Sequence, residues 1–592
     1  MADKPLEISS YFNQDDLARK IAWKWCDHRS QMLPKINEWT EVRNYIFATD
    51  TSSTTNSTLP WRNSTTLPKL CQIRDNLHSN YLSALFPNDD WLRWEAYSQA
   101  DASKQKKDVI TAYMSNKCRE GGFRLKMSQL LLDYIDYGNA FAMPEFVLNY
   151  RTDANDQRVP GYIGPKAVRI SPLDIVFNPT ATSFEESYKI IRSYKSVGEL
   201  ITMADTMPDY AELKSALEKR QDMIGHVNSP GLDFGERQEA FAMDGFGSYE
   251  EYLQSGYVEI LEFYGDIHDM GEDTVERGHI VTVIDRMWVV RNIPFPSWFG
   301  RSPIYHVGWR VRPDNLWAMG PLDNLVGMQY RIDHLENAKA DATDLAIFPP
   351  LVIAGNVEKF DWMPGSEIHV DEGGTVTELG RNAQWVMAAN NDIMALEQRM
   401  EMYAGAPREA MGIRTAGEKT AFEVQQLQNA AGRIFQEKIT SFETELMEPL
   451  LNGMLECARR NFQTEDIVRT LDDDLGATHF IEISREDITG SGVIRPIGAR
   501  HFAAQAQLMQ NLSGVLNGPM GQMLSPHISS KNLAKVVEDY LGLGRFSLFR
   551  PNVAIFEQQE TQALAGQAQE DLMMETAVGS AASDPTGAPQ RV

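Results

Sequence analysis

Residues 412–424, GIRTAGEKTAFEV, carry two glycines five positions apart and then a Lys-Thr pair, the outline of a phosphate-cradling loop. Read that way, the chain would be a strand–loop–helix nucleotide hydrolase. Read otherwise, a flexible basic stretch leads into a long helix and the fold is of another kind. In a working phosphate loop the lysine follows the second glycine directly, so that its ammonium reaches the terminal phosphates while backbone N–H groups wrap them. Here Glu418 stands between Gly417 and Lys419 and would set a carboxylate beside the phosphates. The residues before it, MYAGAPREAM at 402–411, are not the buried strand the motif needs. The apolar run that closes in Asp, HIVTVID at 279–285, lies upstream, whereas the metal-holding strand of such enzymes comes after the loop. The stretch is not a nucleotide site.

The next thirty residues are helical in texture. Val424, Leu427, Ala431, Ile434, Phe435, Ile439, Phe442 and Leu446 recur at three- and four-residue steps, one apolar stripe on a helix over 418–448. At 1.5 Å per residue that helix spans about 45 Å, and Pro449 is predicted to kink it or end its first half. The stripe is wide enough to require burial within and between subunits. Upstream, helical texture covers 391–403 and 322–347, with a Pro/Gly-rich β module at 349–379 between them. Nearer the N-terminus, apolar spacing predicts helices over 15–47, split at Pro34, over 69–85, and over 104–137 with a break at Gly121 and Gly122. From Asn139 the texture turns to strands, with a hairpin at 279–296 and a charged helical stretch over 188–225. No repeat of 20 to 50 residues appears.

A chain of 592 residues is too long for one compact core, and 43% hydrophobic with 23% charged residues describes a folded protein. The first residues lack a basic start followed by an apolar run, so no secretory signal is expected. The longest apolar run, LAIFPPLVIAG at 345–355, is short and broken by two prolines, so no membrane span is expected. Without export, the two sequons at Asn56 and Asn63 carry no meaning, and Cys26, Cys71, Cys118 and Cys457 read as scattered reduced thiols. His334 and Glu336 lack the second histidine of a zinc site, and the acids at 472–474 read as a solvated turn. No catalytic constellation, metal or cofactor is expected. The net charge of −26 argues against a tight grip on nucleic acid over most of the surface, while leaving DNA as something that passes by. The segment 551–590 has no Lys or Arg and six acids, and its end reads as disordered.

Four stretches together resemble the portal (head-to-tail connector) proteins of tailed bacteriophages, over about residues 21–455. LPKLCQIRDNLHSNYLSALFPNDDWLRW at 67–94 is similar to an N-terminal helix ending in an LFP turn. VRISPLDIVFNPTATSFEES at 168–187 resembles the wing-strand signature, with Pro172, Asp174 and Pro179 in its frame. WAMGPLDNLVGMQYRIDHLENAKADATDLAIFPPLVI at 317–353 matches at Gly320, Pro321, Leu325, Gln329, Ile332, Asp333 and Asn337. Residues 403–451 match the join between inner stem helix and long wing helix, with Thr420, Ala421 and Glu423 at the helix start. The last 90 or so residues match no such pattern.

The resemblance implies an α+β, mainly helical fold with a wing, a two-helix stem, a small β clip, a channel loop, a long kinked wing helix and a helical C-terminal crown. Its boundaries here would be 1–317 for N-terminal helices and wing, 318–348 and 387–404 for the stem helices, and 349–386 for the clip. The channel loop would be 405–420, the wing helix and the strands after it 421–500, the crown 501–570 and a disordered acidic tail 571–592. It also implies a non-enzymatic twelve-subunit ring at the portal vertex of a virion, made in the host cytoplasm, that passes double-stranded DNA without reading its sequence. Its partners would be the major capsid protein, the large terminase ATPase, and head-tail adaptor or tail proteins, with no membrane. Arg408, Arg414 and Lys419, with Gly412 and Gly417 for flexibility, would touch phosphates singly in the channel, and Trp362, Met363 and Glu367 would meet partners at the clip. A ring at −26 per chain would repel the DNA rod from its walls except at that basic loop. Two other classes stay open: another head-tail structural protein such as a collar or adaptor, and a packaging enzyme, which needs a phosphate site that 412–424 does not supply.

Overall fold

The protein is described by a computed structural model over residues 14–47, 63, 65–87, 91–98, 104–152, 158–210, 212–225, 256–269, 274–347, 351–355, 369, 373–378, 384–404, 435–461, 466–471 and 478–497. Helix α1 (Gln14–Phe47) runs unbroken through Pro34, contrary to the split predicted there. A proline inside a helix costs about 3 kcal/mol. Buried Ile21, Trp25 and Met32 on one side of it and Trp39, Val42 and Ile46 on the other offset this, because each large apolar side chain removed from water contributes roughly 1.5–3 kcal/mol. Helix α2 (Lys69–Leu85) matches its sequence reading and is followed by strand β1 (Leu92–Ala96). Helices α3 (Lys104–Glu120) and α4 (Phe123–Asp136) part at Gly121 and Gly122, the second at φ +67°, an angle glycine adopts without steric penalty.

Strands β2 (Asn139–Thr152) and β3 (Arg158–Ile170) form a long hairpin. Next come β4 (Ile175–Phe177) and β5 (Lys189–Ser196), then helices α5 (Val197–Thr206) and α6 (Leu213–Gly225). The start of the predicted helical stretch 188–225 is therefore a strand. Its residues Lys189, Ile190, Ile191 and Arg192 are buried in succession, and a strand buried on both faces loses the alternation that marks strands in sequence. Strands β6 (Tyr257–Asp269), β7 (Thr274–Ile284) and β8 (Trp288–Pro294) complete a five-stranded antiparallel sheet in the order β4-β5-β6-β7-β8. Because side chains alternate across a sheet, Ile190, Leu261, Phe263, Val281 and Val283 face α1, packing with Ile21, Trp25 and Trp39. On the other face, Ile191, Tyr264 and Ile280 meet Phe141 and Ile170 of the hairpin, and Ile260 and Ile284 meet Leu200 and Leu213 of α5 and α6.

Strand β9 (Tyr305–Gly308) joins β2 at the opposite edge from β3, and β10 (Arg310–Arg312) pairs with β11 (Asn315–Met319). Helix α7 (Val326–Ile347), strands β12 (Leu351–Ala354) and β13 (Thr375–Glu378), and helix α8 (Gln384–Tyr403) then come in the predicted helix–β–helix order, with α8 beginning seven residues before 391. Helical residues 435–441 lead through a π turn at Phe442–Met447 into α9 (Glu448–Asn461). Glu448 N–H bonds to Glu443 five residues back, so the widened turn falls immediately before Pro449, which has no N–H to give. The helix changes its winding there and does not end. Strand β1 pairs with β16 (Gly492–Pro496), tying distant parts of the chain together. All these elements belong to one compact unit, 1–465 with 484–500. A second unit, 466–483 with 501–592, is described at one hairpin, β14 (Asp466–Leu471) with β15 (Thr478–Ile483).

Candidate assembly surface

The helix–ribbon–helix unit α7–β12–β13–α8 leaves much apolar surface uncovered. Helix α8 buries Ile393, Met400 and Glu401, and Ala404 just after it is buried too. Met387 (72% exposed), Met394 and Met402 (68%) lie on another face of α8, and Tyr403 is also exposed. On α7, Tyr330 and Ile347 are exposed, as are Val352 and Ile353 of β12. The two helices pack on one another and share an ion pair, Arg331–Asp392 at 3.8 Å. Among the described residues, ribbon β12–β13 is a sheet of two strands. A two-stranded ribbon is marginally stable by itself in water and gains from a further strand or a packed face.

The buried face of α7 is unlike its sequence reading. Leu322, Leu325 and Ile332 are buried as expected, but α7 also buries Gln329, Asp333, Asn337 and Asp341, a polar residue at every fourth position. These side chains bind the backbone of residues 63, 65, 67 and 70. Asn63 N donates to Asp341 Oδ1 (2.8 Å), Thr65 N to Asn337 Oδ1 (2.7 Å), Leu67 N to Asp333 Oδ1 (3.0 Å) and Leu70 N to Gln329 Oε1 (3.2 Å). Gln329 Nε2 donates in turn to Leu67 O (2.6 Å) and Asp333 Oδ1 (2.8 Å). A buried ion pair, Lys69–Glu401 at 2.6 Å, links the start of α2 to α8. Three of these four positions, Gln329, Asp333 and Asn337, are marked by the sequence resemblance. The four-residue polar period was a signal visible in the sequence, but nothing there identified the backbone it serves.

The residues expected in a channel loop, Arg408, Gly412, Arg414, Gly417 and Lys419, and those expected in a clip, Trp362, Met363 and Glu367, lie outside the described residues, as do the stretches 501–570 and 571–592 expected to form a crown and an acidic tail. Phe435 and Phe442 are packed inside the subunit. The Phe435 ring stacks on Tyr81 with centroids 4.6 Å apart, and fully buried Phe442 meets Tyr134 at 5.3 Å. His334 stacks on Tyr330 and Glu336 pairs with Lys339 at 2.5 Å. None of the four cysteines forms a disulfide. Among the described residues, no group of three or more His, Cys, Asp or Glu is placed to hold a metal ion, and no helix is long and apolar enough to cross a membrane.

No family model matches this chain, and no curated protein matches it. Among solved structures it is similar to a chain from "Neck of empty GTA particle computed with C6 symmetry", at 10% sequence identity and a TM-score of 0.35, over 82% of this chain and 92% of that one.

Proposed function

We propose that this chain is the subunit of a portal-type head-to-tail connector, a ring without enzyme activity through which double-stranded DNA is packaged and ejected at one capsid vertex. The observation that carries this reading is the helix–ribbon–helix unit with methionines and aliphatic residues exposed along α8 and β12. Monomeric proteins rarely leave such side chains grouped in water, and their grouping marks an interaction surface. Copies placed head to tail around an axis would cover that surface repeatedly and close into a ring. The sequence resemblance supplies the rest of the reading. Arg408, Arg414 and Lys419 would make weak phosphate contacts that position DNA without reading it, and the segment with Trp362, Met363 and Glu367 would meet the packaging ATPase and later the tail adaptor. The acidic balance of −26 fits a wall that DNA slides past.

Electron microscopy of the purified full-length protein tests this directly. Rings with a central hole wide enough for duplex DNA, about 20 Å across, are expected, the duplex being a rod with one charge per 1.7 Å of axis. Solid particles, or monomers at every concentration, would overturn it.

A further inference from the structure

Every second backbone N–H of an extended chain faces the same side, about 6.6 Å from the last. Every fourth side chain of a helix returns near one face, about 6 Å further along the axis. The two pitches nearly match, so polar side chains on a helix can serve an extended chain as a neighbouring strand would. The rungs from Asp341, Asn337 and Asp333 to residues 63, 65 and 67 have this geometry.

We propose that residues 63 and 65–68 form a releasable strap, held on α7 by this ladder and poised to open at Asp333. Hydrogen bonds dominate the attachment: Thr65 and Pro68 are exposed, and Leu67 is only half-buried. The ladder is also incompletely satisfied. Asp333 is fully buried, and its Oδ1 accepts two hydrogen bonds, but its Oδ2 has no protein partner. Neighbouring Asn337 Nδ2 and Thr66 Oγ1 have none either. A buried polar group left without a partner is costly, and reaching water removes that cost. Opening the strap hydrates all three groups. The opening would end at Lys69, where the ion pair with Glu401 pins the chain to α8. At the far end Asn63 is held by Asp341 and by Asp344 (Nδ2 to Oδ2, 2.9 Å).

Burial raises the Asp333 carboxyl to about 6, against the smaller opposing pull of the Leu67 N–H and Gln329. The charged groups around the strap are Asp341 and Asp344 of α7, Lys69, and Glu401 of α8. The closed strap therefore holds a proton on Asp333 that the open strap, with a hydrated carboxylate near its ordinary value, releases. The proton's contribution to the closed form is complete below about pH 4, and opening becomes easier as pH rises from there through about 6, above which it changes no further.

Amide hydrogen exchange of the full-length protein at pH 5.5 and 7.5, corrected for intrinsic rates, tests the strap. Protection of the Thr65 and Leu67 amides is expected to fall about fourfold between the two pH values, while core amides of α2 such as Leu77 hold theirs. Asp333→Asn keeps the Oδ1 acceptor without the charge, so it should raise protection at pH 7.5 and remove the pH dependence. Asn337→Ala removes one rung and leaves the carboxylate; it should lower protection at Thr65 at both pH values and keep the pH dependence. Equal protection and equal pH response in the wild type and Asp333→Asn would overturn the proposal. So would a wild-type loss shared by Leu77, or an unchanged Thr65 amide in Asn337→Ala.

Discussion

Asp285 and Arg286 sit at φ +49° and +61° in the turn between β7 and β8, a conformation that two-residue hairpin turns demand and glycine or asparagine normally supplies. Both are buried, and crossed ion pairs hold them there. Arg286 bonds Glu259 through two nitrogens at 2.7 and 2.9 Å, and Arg220 of α6 reaches Asp285 at 2.8 Å. Glu259→Ala would leave the Arg286 charge buried without its carboxylate, so stability should drop by about 3–5 kcal/mol, read from the urea midpoint. His306 makes a second such case. Its ring stacks on Phe141 with centroids 4.6 Å apart, and Nε2 meets Asn139 Oδ1 at 3.1 Å. Burial, and then the nearby Lys189 ammonium, push its pKa down to about 3. The unfolded chain therefore takes up a proton that the folded one refuses, and stability is lost as pH falls from about 6.5 toward 3. His306→Phe should make the loss between pH 6 and 4 shallower by about 1.4 kcal/mol per pH unit, measured as urea midpoints across that range. Sequence marked Asp285 only as the end of an apolar run and gave His306 no role, because their partners lie far away along the chain.

Among the elements, the helix boundaries that glycines set were legible: α2, α3 and α4 begin and end where spacing and Gly121–Gly122 place them. The elements misread are those whose local preference was outvoted by burial, α1 through Pro34 and β5 with its charges. A close crossing ties two of these elements together. Gly138, after α4, is at φ +70°, and a Cβ on it would lie 2.4 Å from Gly320 N, just before α7. Its carbonyl also accepts from Trp309 N at 2.8 Å. Gly138→Ala would meet backbone on one side and an unfavourable φ on the other. A loss of at least about 3 kcal/mol is expected, again by urea unfolding. Gly300→Ala, at φ +63° with open space around it, should lose only the conformational part, about 1 kcal/mol.

At the scale of the whole molecule, the test of assembly has to avoid the subunit's own core. A charge at Phe442 would break the fold before it reached any interface, since that side chain is fully buried against Tyr134. Met387 and Met394 are exposed and seven residues apart on α8. The double variant Met387→Glu, Met394→Glu should keep the thermal midpoint of the isolated subunit within a few degrees, because exposed substitutions change stability by about 0.5 kcal/mol or less. It should also abolish the rings expected for the wild type, as checked by electron microscopy and sedimentation. Rings at normal yield would show that this face of α8 is not the assembly surface.

Periodicity and turn residues determined the order of helices and strands and the helix–β–helix unit, because each depends on neighbours within a few positions of the chain. The four-step polar period of α7 was equally plain in the sequence. Tertiary structure alone decided that these side chains bind the backbone of residues 63, 65, 67 and 70, that Lys189 and Arg192 lie inside a sheet, and that Gly138 and Gly320 touch. Those outcomes depend on which distant segments meet, and burial then fixes the consequence, since a polar group removed from water must find its partner wherever the fold has brought one.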